Sequence, residues 1–164
     1  MAVTVERQLV KHIDEAHAME KSILRMLDGM ISRTKDEAIK AELARHKEET
    51  ERHAERLEAR LQAHGETPSR IKEAGGMLGV LMKGVVDTVR GEQPGRDARD
   101  GYVTEHMEIA AYELLERIAR HAGDLDTAQV ARENLADEER MARLIADSWD
   151  KVAQLSLHEE GVPA

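Results

Sequence analysis

Leu9, Ile13, Ala16, Glu20, Ile23, Leu24 and Leu27 follow one another at three- and four-residue steps, a spacing that lines them along one side of an α-helix. The stripe predicts a first helix over about residues 3–31. Ser32, Arg33 and Thr34 make a short connection, and Thr34 with Glu37 has the Thr-x-x-Glu form of a capping box, in which side chains satisfy the free N–H groups of a helix start. A second helix carries Ile39, Leu43, His46, Thr50, His53, Leu57 and Leu61 on one face. It stops near His64, with Gly65 where a C-cap glycine belongs and Pro68 barring continuation. Residues 66–100 change in texture. Positions 74–86 are apolar and laced with glycine, which predicts a short crossover helix, and positions 91–100 read as a polar loop. A third helix has Glu105, Glu108, Tyr112, Leu115 and Ala119 on one face and ends at Ala122 and Gly123. Asp124 or Asp126 can cap a fourth, whose face carries Leu135, Glu138, Ala142, Ile145, Trp149 and Val152.

No period-two run of β-branched residues breaks this pattern. Two helical hairpins with short loops, joined by one long crossover that contains a short fifth helix, define an all-α four-helix bundle of ferritin-like connectivity. A chain of 164 residues fits one domain, expected over residues 1–158 with a frayed tail at 159–164.

Composition narrows what such a bundle does. Lys and Arg number 24 against 33 Asp and Glu, a net charge of −9, and the only aromatics are Trp149, Tyr102 and Tyr112. An acidic chain with so few stacking rings is not expected to bind nucleic acid. Cysteine is absent, which removes disulfides, Cys-ligated zinc, iron–sulfur clusters and thiol nucleophiles together. Glu6, Arg7 and Lys11 fall where a signal peptide needs its apolar stretch. No apolar run approaches the ~20 residues of a membrane span, so the expected location is cytoplasmic, with no membrane partner. Met77, Leu78, Val80, Leu81, Met82, Val85 and Val86 make the crossover too apolar for a solvated linker. They predict a homodimer, the commonest way for a soluble chain to cover such a patch.

The informative positions are polar residues on faces that should be apolar. A carboxylate inside a bundle costs several kcal/mol unless it is paired or bound to metal. The first helix nevertheless aligns Glu20 with its aliphatic stripe, and the second places His46 and His53 in mid-stripe with Glu49 on the flank between them. The third offers Glu105 and Glu108 three apart, and the fourth sets Glu138 between Leu135 and Ala142. Taken singly, each has an ordinary reading: a salt-bridged boundary acid, a satisfied core histidine, an exposed charged edge. Carboxylates near the middle of four facing helices, with histidine beside them, are the ligand set of a di-iron or di-manganese carboxylate site. Tyr112, one turn past Glu108, is placed to hydrogen-bond such a site or to pack as a core aromatic. His12, His64, His121 and His158 read as surface residues, His17 as a boundary histidine, and His106 as lying off the core face.

Four stretches carry a resemblance: residues 19–24 (Met-Glu-Lys-Ser-Ile-Leu), 46–50 (His-Lys-Glu-Glu-Thr) followed by Glu55, Arg56 and Leu57, 105–112 (Glu-His-Met-Glu-Ile-Ala-Ala-Tyr), and 135–139 (Leu-Ala-Asp-Glu-Glu). Over about residues 5–155 the chain resembles the YciF-like bacterial stress-protein family, which is ferritin-like and related in architecture to rubrerythrins. The resemblance implies a di-metal bundle, often dimeric. By motif match it makes Glu20 the ligand from the first helix and Glu49 a bridging ligand from the second. Glu105 and Glu108 serve from the third helix and Glu138 from the fourth. The chain departs from that pattern in two places: His17 stands where the family commonly has Tyr, and Ala142 where it has an acid. His46 or His53 can compensate for the second departure. The rubrerythrins' Cys-rich iron domain has no counterpart here.

The expectation is therefore a di-iron protein with two ions per chain, manganese or zinc being the alternatives. It would oxidise Fe²⁺ with O₂ or peroxide in stress defence. The competing expectation is a non-enzymatic dimeric scaffold whose buried carboxylates and histidines form a metal-free polar core.

Overall fold

The computed structural model describes residues 4–69 and 93–162. These form five helices: α1 (Val5–Arg33), α2 (Glu37–Ala63), α3 (Gln93–Ala122), α4 (Leu125–Asp147) and α5 (Trp149–Glu159). The first four make a ferritin-like bundle. α1 pairs with α2 and α3 with α4, and the hairpins face each other through α1 against α3 and α2 against α4. The expected crossover helix at 74–86 lies outside the described residues, as does the apolar segment 77–86 that suggests a dimer.

The helix ends follow from local chemistry. Thr4 accepts the Arg7 N–H at 3.2 Å to open α1. The capping box expected from Thr34 and Glu37 does not form. Thr34 instead closes α1, its N–H and its hydroxyl both donating to the Met30 carbonyl, and Asp36 opens α2 by accepting the Ile39 N–H at 2.9 Å. With two capping groups so close in sequence, Asp36, immediately before the helix and the better N-cap residue, outcompetes the more distant Thr34 hydroxyl. Gly65 ends α2 as expected: its φ of 73° lets Glu66 N–H reach the Leu61 carbonyl at 3.0 Å.

Two expectations are corrected. Residues 93–100 are the first turns of α3 and not a polar loop. Pro94 sits in the first turn, where a missing N–H costs nothing, and the polarity of the stretch reflects its partly solvated faces. The fourth helix also does not run on through Trp149. Ser148 donates its hydroxyl to the Ile145 carbonyl at 2.8 Å and breaks the helix there. Val152 is buried on α5, whereas Trp149 is 39% exposed and sets its ring edge-on to Tyr102. α5 packs on α3 and α4, and its last residue, Glu159, accepts the Gln93 N–H at 2.8 Å.

Leu9, Ile13, Leu57, Leu61, Leu115 and Ala131 fill one part of the interior, and Met26, Leu27, Met30, Leu43, Met141 and Ile145 fill another. Leu24 and Leu135 take half-buried flanking positions. Along α1, α2 and α4 the polar inner residues fall between these aliphatic groups, and on α3 Glu105 and Glu108 precede Tyr112 and Leu115.

Candidate metal centre

Six of the seven residues singled out from the sequence converge. Glu20, His46, His53, Glu105, Glu108 and Glu138 are all buried to within 2%. One ligand atom from each of His46, Glu105, Glu108 and Glu138 lies within 4.8 Å of the others, and the same holds for Glu20, His53 and Glu138. Glu138 belongs to both groups. His46 Nε2 stands 3.3 Å from Glu105 Oε1 and 3.6 Å from Glu138 Oε2. His53 Nδ1 stands 2.8 Å from Glu138 Oε1 and 3.6 Å from Glu20 Oε1. The first of these His53 contacts is too skewed for a hydrogen bond. Both oxygens of Glu108 and of Glu138, one oxygen each of Glu20 and Glu105, His46 Nε2 and His53 Nδ1 have no hydrogen-bond partner. Buried polar atoms are rarely left so, and here they belong to the residues of the two groups joined by Glu138.

Glu49 stands apart from both groups. Its carboxylate forms an ion pair with Arg140 Nη2 at 2.6 Å and a hydrogen bond with His46 Nδ1 at 3.4 Å. His53 has the same arrangement, its Nε2 meeting Asp137 Oδ2 at 3.1 Å while Nδ1 faces the centre. Each imidazole is thus held by an outer carboxylate on one nitrogen and presents the other inward, as histidine ligands of metals usually are. Arg140 reaches both outer carboxylates, with Asp137 Oδ1 at 3.5 Å.

Tyr112 is fully buried and donates its hydroxyl to Glu20 Oε1. It accepts from Asn134 Nδ2 at 3.0 Å, and Asn134 Oδ1 accepts from Arg56 at 2.9 Å. A hydrogen-bonded line therefore runs from the half-buried Arg56 to the Glu20 carboxylate. Asp137, Arg140, Asn134 and Arg56 are not marked by the apolar stripes. The i, i+3 step from Asp137 to Arg140 is the one sequence trace of this outer layer, and such steps abound in a chain this charged. The other histidines stay away from the centre. His106 is exposed, with Nδ1 at 2.9 Å from the Tyr102 carbonyl. His64, expected at the surface, is half-buried and ties α2 to Asp124 at 2.8 Å.

The electrostatics are those of a site short of positive charge. Burial pushes Glu108 well above the usual carboxylate range, reinforced by Glu138, Glu20 and Glu105. Burial likewise raises Glu20 and Glu138, and it raises the Tyr112 hydroxyl. Although burial opposes a charge on His53, Glu138 and Glu20 push it up to about 10. His46 is raised in the same way against burial, by Glu105, Glu49 and Glu138. His46, with help from Arg140, holds the outer Glu49 down at about 2. Four inner carboxylates carry the formal charge that two divalent ions would cancel. Oxygen-rich sites with an imidazole or two suit iron, manganese or zinc.

The family described as "Domain of unknown function (DUF892)" matches residues 4–157. A protein of Xanthomonas campestris pv. campestris superposes with a TM-score of 0.80 at 28% identity, over 97% of this chain and 100% of that one. The E. coli stress protein YciF superposes with a TM-score of 0.77 at 21% identity, over 94% and 98%. Ferritin-like, di-iron carboxylate proteins from Bacillus anthracis give 0.72 at 15% identity, over 89% and 98%. The last two likenesses establish a common fold. Among the described residues no helix is long and apolar enough to cross a membrane.

Proposed function

The chain belongs to the DUF892 family, and from the centre built inside its bundle we propose that it is a ferritin-like di-metal carboxylate protein. One ion would be held by His46, Glu105, Glu108 and Glu138 and the other by Glu20, His53 and Glu138, with Glu138 shared. The observation that supports this most is the set of buried ligand atoms without hydrogen bonds, gathered around a common carboxylate. Iron is the expected metal, two ions per chain, with manganese or zinc as alternatives.

When bound, an iron pair supplies one-electron chemistry toward O₂ or peroxide, which fits the oxidation of Fe²⁺ in stress defence. The chain's own residues do the positioning. Asp137 and Glu49 fix the imidazole orientations, Arg140 restrains both of those carboxylates, and Tyr112 holds one oxygen of Glu20. Burial of the inner ligands excludes bulk water.

Anaerobic titration with Fe²⁺ tests this, and saturation near two ions per chain is the expected result. Saturation at one would confine binding to a single group. No binding above background would favour the second reading, a non-enzymatic dimeric scaffold with a metal-free polar core. Ala142 favours that second reading: it is buried one turn beyond Glu138 and supplies no ligand.

A further inference from the structure

Beside the centre lies a cavity of about 650 Å³, walled by Met26, Met30, Ile39, Leu144, Ile145 and Val152, and Glu105 is among its lining residues. Its volume falls within the roughly 300–1,000 Å³ of small-molecule sites. Glu105 also supplies a ligand atom to the His46 group, so the cavity and the metal centre share a side chain.

Gly101, one turn before Glu105, keeps one wall bare. Its φ is not among the positive ones, so the backbone does not require glycine, and glycine inside a helix is destabilising. An added Cβ would stand 3.5 Å from Ile145 Cδ1 and 3.8 Å from Met30 Cε. An alanine would therefore fit at contact distance, and a larger side chain would enter the open space.

Each Lys and Arg on the cavity lining is paired with an acid: Arg33 with Asp97 at 3.1 Å, Lys35 with Glu159 at 3.7 Å and Lys151 with Asp36 at 2.7 Å. An anionic head group would have to break one of these pairs. Among the described residues on the lining, Arg33 Nε is a fully buried donor without a hydrogen-bond partner.

We infer that this cavity admits an uncharged, mainly aliphatic molecule bearing one acceptor oxygen, and brings it to the Glu105 side of the centre. The second half of the inference rests on the di-metal reading, whereas binding in the cavity does not.

The probe is 1-decanol, with decanoate as its charged counterpart, each competing against the neutral fluorophore N-phenyl-1-naphthylamine on the native chain. Saturable displacement by decanol is expected, with decanoate weaker by about tenfold or more. Gly101→Leu should weaken decanol by a similar factor at unchanged helical circular dichroism and metal content, and Ala98→Leu serves if that variant does not fold. In protein loaded with Mn²⁺, decanol proton signals should broaden, one end of the chain more than the other. Absent or non-saturable displacement, or equal affinity in the folded filled variant, overturns the cavity as a binding site. Tighter decanoate binding overturns the uncharged class. Saturable binding without broadening, in protein shown to hold Mn²⁺, overturns delivery to the centre. If no Mn²⁺ is retained, the broadening is read with anaerobic Fe²⁺; if neither ion is retained, the di-metal reading and delivery to the centre fail together, and the displacement results still decide the cavity.

Discussion

Glu138 and Glu49 are both acids on inner faces of neighbouring helices, yet the structure gives them different surroundings. Glu138 is fully buried, shared by two ligand groups, and has no hydrogen bond to either oxygen. Glu49 is held by Arg140 and leans on the outward nitrogen of His46. Glu138→Ala should therefore abolish binding of both ions, whereas Glu49→Ala should weaken one of them by about 10–100-fold, the usual effect of losing an outer partner of a histidine ligand. The exposed Glu51→Ala is the control and should bind like the native chain. Metal content by mass spectrometry and Fe²⁺ affinity separate the three; equal loss in Glu138→Ala and Glu51→Ala would end the assignment. Tyr112→Phe should cost about 1–3 kcal/mol in urea unfolding, because Asn134 Nδ2 then loses its buried acceptor.

Asp124 shows the same economy at the level of an element. It caps α4 by accepting the Thr127 N–H at 3.0 Å and its hydroxyl at 2.5 Å, and it takes Arg60 and His64 from α2 at 3.0 and 2.8 Å. Burial alone would raise this carboxyl, but Thr127, His64 and Arg60 hold it well below the usual range. A depressed folded-state value means that the stabilisation is fully present above the unfolded value, near about pH 4, and is lost as pH falls below it. Asp124→Ala should cost about 1–2 kcal/mol or more at neutral pH, and its stability should fall less steeply than that of the native chain below about pH 4, as read by urea midpoints. The stripes at three- and four-residue spacing made α1, α2 and most of α3 and α4 legible beforehand, because burial of one face dominates a long helix. What they could not reveal were competitions decided by a single atom. Asp36 rather than Thr34 caps α2, Ser148 interrupts what looks like one continuous helix, and residues 93–100 are polar yet helical because one side of α3 is solvated there.

For the whole molecule, the buried inner carboxylates and histidines could be read in advance because a buried polar group contradicts its helix face. The outer layer of Asp137, Arg140, Asn134 and Arg56 could not, since these residues contradict nothing until the helices are packed. A homodimer is the assembly proposed from the apolar sequence at 77–86, which lies outside the described residues. Sedimentation equilibrium at micromolar concentration should give about twice the 18.4 kDa chain mass, and a charge introduced by Leu81→Glu should reduce this to one chain without unfolding it. The centre has a bearing on folding as well as on chemistry. Each ligand group draws from both hairpins, His46 with Glu105, Glu108 and Glu138, and Glu20 and His53 with Glu138, while the covalent link between the hairpins is the long connection from residue 64 to residue 92. In a chain without cysteine, the ions would act as the cross-links. They would clamp two halves whose contact otherwise depends on packing around a repulsive cluster of acids, so that a chain deprived of metal would loosen first along the seam between the hairpins.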